Sequence, residues 1–243
     1  MPRMRKESPT RLAIIQVAID LFFEKGFSKT TAAEVCRKAD IGTGNLTFYF
    51  PTKEHILDVL VTMMCDHQWK MIEAATDEGK SSLLSYCLEL ATMVSISEEI
   101  PQMHDFFVSA YSHPITLENI RANDIEKMKQ VFGQFCPDWT EDQYIEAESI
   151  VSGIEFATLM TTEHSAPLET RLEGALNSIM LLFGVPEELR KMKLQKVLAM
   201  DYRAIARKVF NDFKAYVSET NEKAIEDLLK TYHIKQEHEE KPE

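Results

Sequence analysis

The sequence has few of the residues that interrupt regular structure. Its 243 residues include only 8 glycines and 9 prolines, which is too few for the many turns of an all-β chain of this length. Residues with high helix propensity, such as Ala, Leu, Met, Glu and Lys, are plentiful. Because 44% of the residues are hydrophobic, the chain can bury a sizeable core. The composition therefore predicts an all-α fold.

Long apolar runs, a signal-peptide core and closely spaced cysteines are also missing. The run from Ile179 to Phe183 is much shorter than the roughly 20 apolar residues of a membrane span. Residues 1–6 have no apolar stretch typical of a signal peptide. The 4 cysteines are widely spaced, without a C-x-x-C pair, so neither a zinc site nor a disulfide framework is predicted. We expect a soluble, cytoplasmic protein with no membrane partner.

The charge is divided unevenly along the chain. The net charge is −12, yet residues 1–54 carry nine Lys or Arg against six Asp or Glu, a balance of +3, which leaves −15 for residues 55–243. A mildly basic N-terminal part on an acidic remainder suggests that any polyanion binds the N-terminal part only.

An amphipathic helix is predicted at residues 11–25, where apolar side chains recur at i, i+3, i+4, i+7 and i+8. Gly26 should end this helix, because a glycine just beyond a helix can take the left-handed conformation. A second helix of about two turns should follow, since Thr31 and Glu34 have the spacing of a capping box.

A third short helix is predicted at residues 43–50, after a tight turn at residues 40–42. Pro51 should end it, because the residue before a proline is pushed out of helical geometry. Thr52 is placed to cap a fourth helix. Two short helices joined by a three-residue turn that contains glycine have the spacing of a helix-turn-helix.

Several sequence features mark residues 10–57 more specifically. Gly26-Phe27 follows the first helix, Thr30-Thr31 precedes the second, and Phe50-x-x-Lys53-Glu54 leads out of the third. With these features the segment closely resembles the N-terminal DNA-binding domain of the TetR family of bacterial transcription regulators. It departs from the family pattern at Thr47, where a tyrosine is usual, and at Gly42, where a serine is common.

The resemblance implies a fold and a function. It implies a three-helix DNA-binding domain at residues 1–53, a larger helical effector-binding and dimerisation domain at residues 54–243, and a homodimer. The expected function is that of a ligand-responsive repressor, which binds a near-palindromic operator in double-stranded DNA and is released by a small-molecule effector. The alternative is a helical protein-interaction module without a role in DNA binding.

The outward face of the third helix is the predicted DNA-reading surface. Turning 100° per residue places Gly44 and Phe48 opposite the core residue Leu46. A lysine in the first turn of a helix opposes the macrodipole, so we expect Lys53 to bind a phosphate together with free amides there. The predicted DNA-binding residues are Thr31, Thr43, Gly44, Asn45, Thr47, Phe48, Tyr49 and Lys53.

A phosphate-binding loop is the rival interpretation of Gly42-x-Gly44. Such a loop needs a preceding strand and a third glycine at position 47, whereas the chain has a predicted helix and Thr47 there. The sequence also lacks the H-E-x-x-H and G-x-S-x-G motifs. We therefore predict no enzyme activity, no cofactor and no metal.

The resemblance places an effector pocket among the middle helices. Adaptable methionines and aromatic residues there suit a partly apolar ligand. The helix that begins at Lys53 is expected to couple this pocket to DNA. Glu155 could be a polar anchor of the pocket or a surface carboxylate, and the surface is favoured. The predicted pocket residues are Met63, Met64, Met103, Phe106, Phe107, Tyr111, Phe156 and Met160.

Two late helical segments are expected to form the dimer seam. Similar proteins use two such helices in a four-helix bundle, which here would be residues 140–163 and 168–183. Gly153 and Ala157 would allow close approach of the partner. Two further apparent helices at residues 187–232 form the alternative seam.

Overall fold

The computed structural model describes residues 11–76, 82–228 and 230. Over these ranges the chain is built from α-helices, a 3-10 turn at Gly133–Phe135 and loops, without a β-strand, which confirms the all-α prediction. No helix in the described ranges is long and apolar enough to cross a bilayer. The N-terminal segment 1–6, used above to argue against a signal peptide, lies outside the described residues.

The described helices follow one another along the chain, most of them with few residues between. Their bounds are α1 Arg11–Lys25, α2 Ala32–Lys38, α3 Thr43–Tyr49, α4 Lys53–Ala75, α5 Leu83–Glu99, α6 Pro101–Ser112, α7 Pro114–Phe132, α8 Glu141–Leu159, α9 Leu168–Leu182, α10 Glu187–Leu198 and α11 Tyr202–Glu219. A further helical stretch covers residues 222–228. The described part of segment 187–232, for which two helices were predicted, therefore contains three.

Prolines mark the starts of several helices. Pro101 and Pro114 are the first residues of α6 and α7, where the missing N–H is not needed and the fixed φ suits the helix. Pro167 and Pro186 are the residues that immediately precede α9 and α10. Local proline chemistry therefore sets these four boundaries.

The first three helices form a small head, here defined as residues 11–50. Ile14, Ala18 and Phe22 of α1 are fully buried. Gly26 has φ +97°, which is the predicted left-handed helix ending, and its N–H donates to the carbonyl of Phe22 at 2.9 Å. The rings of Phe22 and Phe27 meet edge-on with centroids 5.1 Å apart.

The turn between α2 and α3 uses a different residue from the one that the glycine pattern suggests. Asp40 has positive φ, at 55°, and aspartate tolerates this region because its short polar side chain can bond locally. Gly42 has φ −78° and ψ 156° as the N-cap of α3, a conformation open to any residue. The turn therefore does not require a glycine at position 42.

The remaining helices form the body, here defined as residues 53–76 and 82–228. Its centre is α5, which is buried almost all round and packs against α4, α6, α8, α9, α10 and α11. The helix α4 starts beside the head and packs along α7 and α11. The helix α6 contacts both α1 of the head and α8 of the body. The helices α4 and α6 thus connect the head to the interior of the body, and α11 also contacts α1.

Candidate functional site

Helix α3 exposes almost all of the residues predicted to read DNA. Leu46 is its buried residue and Phe50, just after it, is buried as well, so the predicted core face is confirmed. Thr43, Gly44, Asn45 and Thr47 are exposed, and Tyr49 is partly exposed. Phe48 is 80% exposed, the largest exposed fraction among the large hydrophobic side chains of the described residues.

The chain itself does not need a glycine in the middle of α3. A methyl group added at Gly44 would meet no heavy atom of its surroundings within 4 Å in the described structure. Glycine inside a helix costs about 0.5–1 kcal/mol of stability relative to alanine. The reason for glycine at this position is therefore not found in packing within the chain.

The polar and aromatic side chains of α3 are partly engaged within the helix. The hydroxyl of Thr47 lies 3.1 Å from the carbonyl oxygen of Thr43 and 3.2 Å from that of Gly44, so its proton is donated to the backbone and its lone pairs face solvent. The rings of Phe48 and Tyr49 meet edge-on with centroids 5.0 Å apart. This pair forms an aromatic ridge on the exposed face.

Lys53 is bound to the head, which the sequence did not indicate. Its ammonium donates to the carbonyls of Phe27 at 3.1 Å and Thr30 at 3.2 Å and stands 4.1 Å from the centre of the Phe27 ring. Two of its three donors are thus used to tie α4 to the loop between α1 and α2. Thr52 is the N-cap residue of α4, as predicted, but its side chain makes no bond to a helix amide; its hydroxyl lies 3.1 Å from Nδ1 of His55.

Thr31 is engaged by its own helix. It forms the predicted capping box, in which Glu34 accepts from the Thr31 N–H at 2.9 Å and the Glu34 N–H donates to the Thr31 hydroxyl at 3.3 Å. A hydrogen bond from Lys25, followed by those from Thr31, lowers the pKa of Glu34 to about 2. The N-terminus of α2 therefore already carries a carboxylate, which competes with a phosphate for the same amides.

A second contact joins the head to α6. Asp105 accepts from the backbone N–H of Ser28 at 2.8 Å and from the Ser28 hydroxyl at 2.5 Å. Gly26 allows this approach, because a Cβ atom at that position would stand 2.7 Å from Oδ2 of Asp105. The next residue of α6, Phe106, meets Phe23 of α1 edge-on with centroids 6.1 Å apart.

A cavity of about 50 Å³ lies inside the body between α4, α5, α6, α7 and α8. Of the predicted pocket residues, Met64, Phe106, Phe107 and Tyr111 line it. Met103 lines a smaller adjoining cavity of about 20 Å³, where Met64 and Phe107 also take part.

Three predicted pocket residues are not part of either cavity wall. Met63 is fully buried in the core. Phe156 is half-buried beside Tyr111, with ring centroids 6.5 Å apart. Met160 follows the end of α8 and is half-exposed. The predicted set therefore divides between the cavity, the core and the surface.

Glu155 lies inside the cavity, and its predicted surface position is wrong. It is 7% exposed and accepts hydrogen bonds from the hydroxyls of Tyr111 at 2.7 Å and Tyr86 at 3.3 Å. Burial, reinforced by the negative charge of Asp124, raises the pKa of Glu155 to about 8. Glu148 is also buried on α8. The inner face of this helix therefore carries two carboxyl groups among its apolar residues.

A buried ion cluster completes the cavity wall. The ammonium of Lys127 lies 3.0 and 3.1 Å from the two carboxylate oxygens of Glu89 and 2.9 Å from Asp124. Burial lowers the pKa of Lys127, but the two carboxylates outweigh this and hold it well above its usual value. Sequence reasoning missed this cluster, although the spacing of Asp124 and Lys127 on one helix turn was a usable signal.

Comparison with known proteins places the head in a family. A family model described as bacterial regulatory proteins, tetR family, matches residues 14–60. Residues 14–60 thus resemble the TetR family. The match covers α1, α2 and α3 and the first eight residues of α4, which are the elements that carry the exposed helix face and Lys53.

Two curated relatives are named as HTH-type transcriptional regulators. The probable HTH-type transcriptional regulator YttP of Bacillus subtilis (strain 168) is 33% identical over 66 residues, which are 27% of this chain and 32% of that protein. The HTH-type transcriptional regulator RutR of Escherichia coli (strain K12) is 27% identical over 105 residues, which are 43% of this chain and 49% of that protein. The chain thus matches about a third to a half of the length of these relatives.

Among solved structures, the TetR family protein CprB from S. coelicolor A3(2) shows 19% sequence identity and a TM-score of 0.41. The alignment covers 86% of this chain and 97% of CprB. The two curated relatives are named as transcription regulators.

Proposed function

We propose that this chain is a ligand-responsive DNA-binding regulator of the TetR family that acts as a repressor. In this proposal a homodimer binds a near-palindromic operator in double-stranded DNA, and a small-molecule effector in the body releases it. The observation that carries the proposal is the exposed face of α3, with a glycine that packing does not require and an aromatic ring in solvent. The proposal divides the chain at residue 53 and places it in the cytoplasm.

The shape of this face fits the major groove of DNA. Gly44 leaves room for close approach, and Asn45 one residue later can bond a base edge or a phosphate. Phe48 at 80% exposure has an apolar surface that a thymine methyl would cover. The predicted reading residues Thr43 and Thr47 flank this face with exposed hydroxyls.

Phosphate binding would use the junction between the head and α4. Lys53 retains one donor beyond the two that hold Phe27 and Thr30. The ammonium is held in place by these bonds, so binding a phosphate would cost little side-chain entropy. The amides of the first turn of α4 add a partial positive charge on the same side.

The two connecting helices offer a route from the cavity to this surface. Helix α4 carries Lys53 at its start and Met64, a cavity residue, three turns later. Helix α6 carries Asp105 against the head and Phe106 against the cavity, in consecutive positions. An effector that moves either helix would change the placement of α3. The effector would then make different contacts in the DNA-binding form and in the released form, as allosteric release requires.

The dimer seam of the proposal lies on α8 and α9. Three large hydrophobic side chains there are exposed in the single chain. They are Ile145 (45%) and Ile150 (43%) of α8 and Leu181 (57%) of α9. Gly153 and Ala157, predicted to allow close approach, are exposed on the same helix. This concentration favours α8 and α9 over the C-terminal helices, where Met192 is the comparable exposed residue in the described range.

The test is the binding of the purified chain to a random library of fluorescent 30-base-pair duplexes, followed by selection of the bound sequences. We expect binding that weakens steeply with salt, enrichment of a near-palindrome, and loss of sequence preference in Phe48→Ala. Met192→Ala, which removes an exposed side chain far from α3, is the matched control and should behave as the parent. Failure to bind any duplex at low salt would instead favour a helical interaction module.

A further inference from the structure

The ionisable groups of the cavity are unbalanced in sign. Its wall carries three carboxyl groups, those of Glu89, Asp124 and Glu155, and one ammonium, that of Lys127. The ammonium is surrounded by the first two, at 2.9 to 3.1 Å. Its charge is therefore already compensated twice, and an anionic ligand would find no unpaired cation in this wall.

Glu155 is held differently from the other two carboxyl groups. Its two hydrogen-bond partners are the neutral hydroxyls of Tyr111 and Tyr86, and in the described structure no basic side chain donates to it. These two donors fix the carboxyl group and favour its ionised form. Glu155 is thus an oriented acceptor inside the body that lacks a cation of its own.

The rest of the wall is apolar and aromatic. Phe106 and Phe107 meet edge-on with centroids 5.6 Å apart, and Met64 and Met93 lie beside them. Aromatic faces attract cations, and this attraction is stronger where water is excluded. The flexible methionines can adapt to the shape of a hydrocarbon group.

We propose that this cavity binds an organic cation, whose ammonium group pairs with Glu155 while its apolar part packs against Phe106, Phe107 and the neighbouring methionines. The inference rests on the proposed function, because it names the class of the effector. The cavity of about 50 Å³ has room for only a few water molecules, whereas ligand sites usually measure about 300–1,000 Å³. The cation must therefore displace side chains of the cavity wall, which includes α4 and α6, two of the helices that contact the head.

Proton release should accompany binding. Glu155 faces Tyr86 and Glu89 from α5, Tyr111 from α6, Asp124 and Lys127 from α7 and Cys65 from α4. Burial and these carboxylates keep a proton on Glu155 at pH 7, since they raise its pKa to about 8. A cation favours the ionised carboxylate, so the proton leaves to solvent and affinity rises with pH, at most about tenfold per pH unit below pH 8.

The experiment compares three probes of similar shape and different charge by titration calorimetry on the full chain. They are 2-phenylethylammonium, which stays a cation between pH 6 and 8, 2-phenylethanol and 3-phenylpropionate. We expect the cation to bind at least about tenfold more tightly than the alcohol, a difference of about one ion pair in a dry site. The anion should bind more weakly than the alcohol.

The variant Glu155→Gln keeps the shape of the side chain and one acceptor oxygen and removes the charge; the tyrosine hydroxyl that faces the new amide nitrogen must accept instead of donate. It should lower the affinity for the cation at least about tenfold and leave that for the alcohol within about threefold. Glu148→Gln is the matched control, because Glu148 is a second buried carboxyl group on the inner face of α8 that does not line the cavity. In the parent protein, cation affinity should increase between pH 6 and 8, a result that does not depend on the folding of any variant.

Equal affinities for the three probes, tightest binding of the anion, or a cation affinity independent of pH would overturn the inference. Binding to DNA duplexes is measured separately, without any probe. Failure of the cation site can then be distinguished from failure of the proposed regulatory function. Salt-dependent DNA binding with no preference for the cation rejects the inference alone. A preference for the cation without any DNA binding supports the cation site and rejects the regulatory function.

Discussion

Lys53→Ala separates two roles that one side chain is expected to have. The structure shows the ammonium bound to two carbonyls of the loop between α1 and α2 and placed 4.1 Å from the centre of the Phe27 ring. The proposed function adds a phosphate contact through the remaining donor. Truncation to alanine should therefore affect both stability and DNA binding, and the two effects are measured separately.

The loss of stability follows from the contacts within the chain. Hydrogen bonds from a charged donor contribute about 1.5–3 kcal/mol each when buried, but Lys53 is only half-buried and water can replace it at both carbonyls. With about 0.5–1 kcal/mol from the contact with the Phe27 ring, we expect a total loss of about 1–3 kcal/mol. For a chain of this size this corresponds to a fall in Tm of roughly 2–10 °C, which differential scanning fluorimetry can resolve.

The effect on DNA follows from counterion release. Each phosphate contact contributes about −0.9 to the slope of log K against log salt concentration, so a dimer that loses two contacts should show a slope shallower by roughly 1.8. Fluorescence anisotropy with a selected duplex at several salt concentrations measures this slope. The control is Lys191→Ala on α10, where the lysine is exposed and pairs with Glu187 of its own helix.

Each half of this reasoning can fail by itself. An unchanged Tm would refute the role of Lys53 in joining α4 to the head. A lower affinity with an unchanged salt slope would mean that the variant misplaces α3 without losing a phosphate contact. If Lys191→Ala flattened the slope equally, the effect would come from overall charge rather than from this position.

Four further outcomes are expected. Gly44→Ala should raise the free energy of unfolding by about 0.5–1 kcal/mol and weaken operator binding, and a variant that is both more stable and fully active would remove the close-approach argument. Gly26→Ala should destabilise the head by at least about 1 kcal/mol, since φ is +97° and the new Cβ would stand 2.7 Å from Asp105; chemical denaturation measures this, and an unchanged midpoint would contradict it. Leu181→Asp should convert the dimer to monomer in sedimentation velocity without unfolding it, because the side chain is 57% exposed in the single chain; a persistent dimer would move the seam elsewhere. Burial holds the pKa of Glu155 at about 8, above its ordinary 4.5. The stability that the neutral carboxyl group contributes is therefore complete below pH 4.5 and is lost as pH rises to 8. Glu155→Gln should reduce the fall of Tm between pH 5 and 8, and an equal fall in variant and parent would refute the raised pKa of Glu155.

The head could be predicted closely because its signals are local. The glycine ending after α1, the capping box at Thr31 and Glu34 and the proline after α3 each depend on a few neighbouring residues, and all three are present as predicted. The tight turn predicted at residues 40–42 is also local in origin. Asp40 takes its left-handed position, because aspartate tolerates this conformation in turns.

The cavity was harder to predict because its residues come from five helices. Periodicity identifies an inner face by its apolar residues, and Glu155 does not fit that pattern. Its position becomes understandable only when Tyr111 of α6 and Tyr86 of α5 are seen to donate to it. The same holds for Lys127, whose burial depends on Glu89 from another helix.

The sequence alone determined the helical class, the boundaries of the first helices and the resemblance of the head to the TetR family, since these depend on residue types at short separations. The tertiary structure decided which side chains share a space. It brought Lys53 to the loop after α1, joined Asp105 to Ser28, and enclosed Glu155 with an ion cluster. These contacts span from 23 to 77 residues along the chain, and at such distances neighbouring sequence carries no information about which groups will meet.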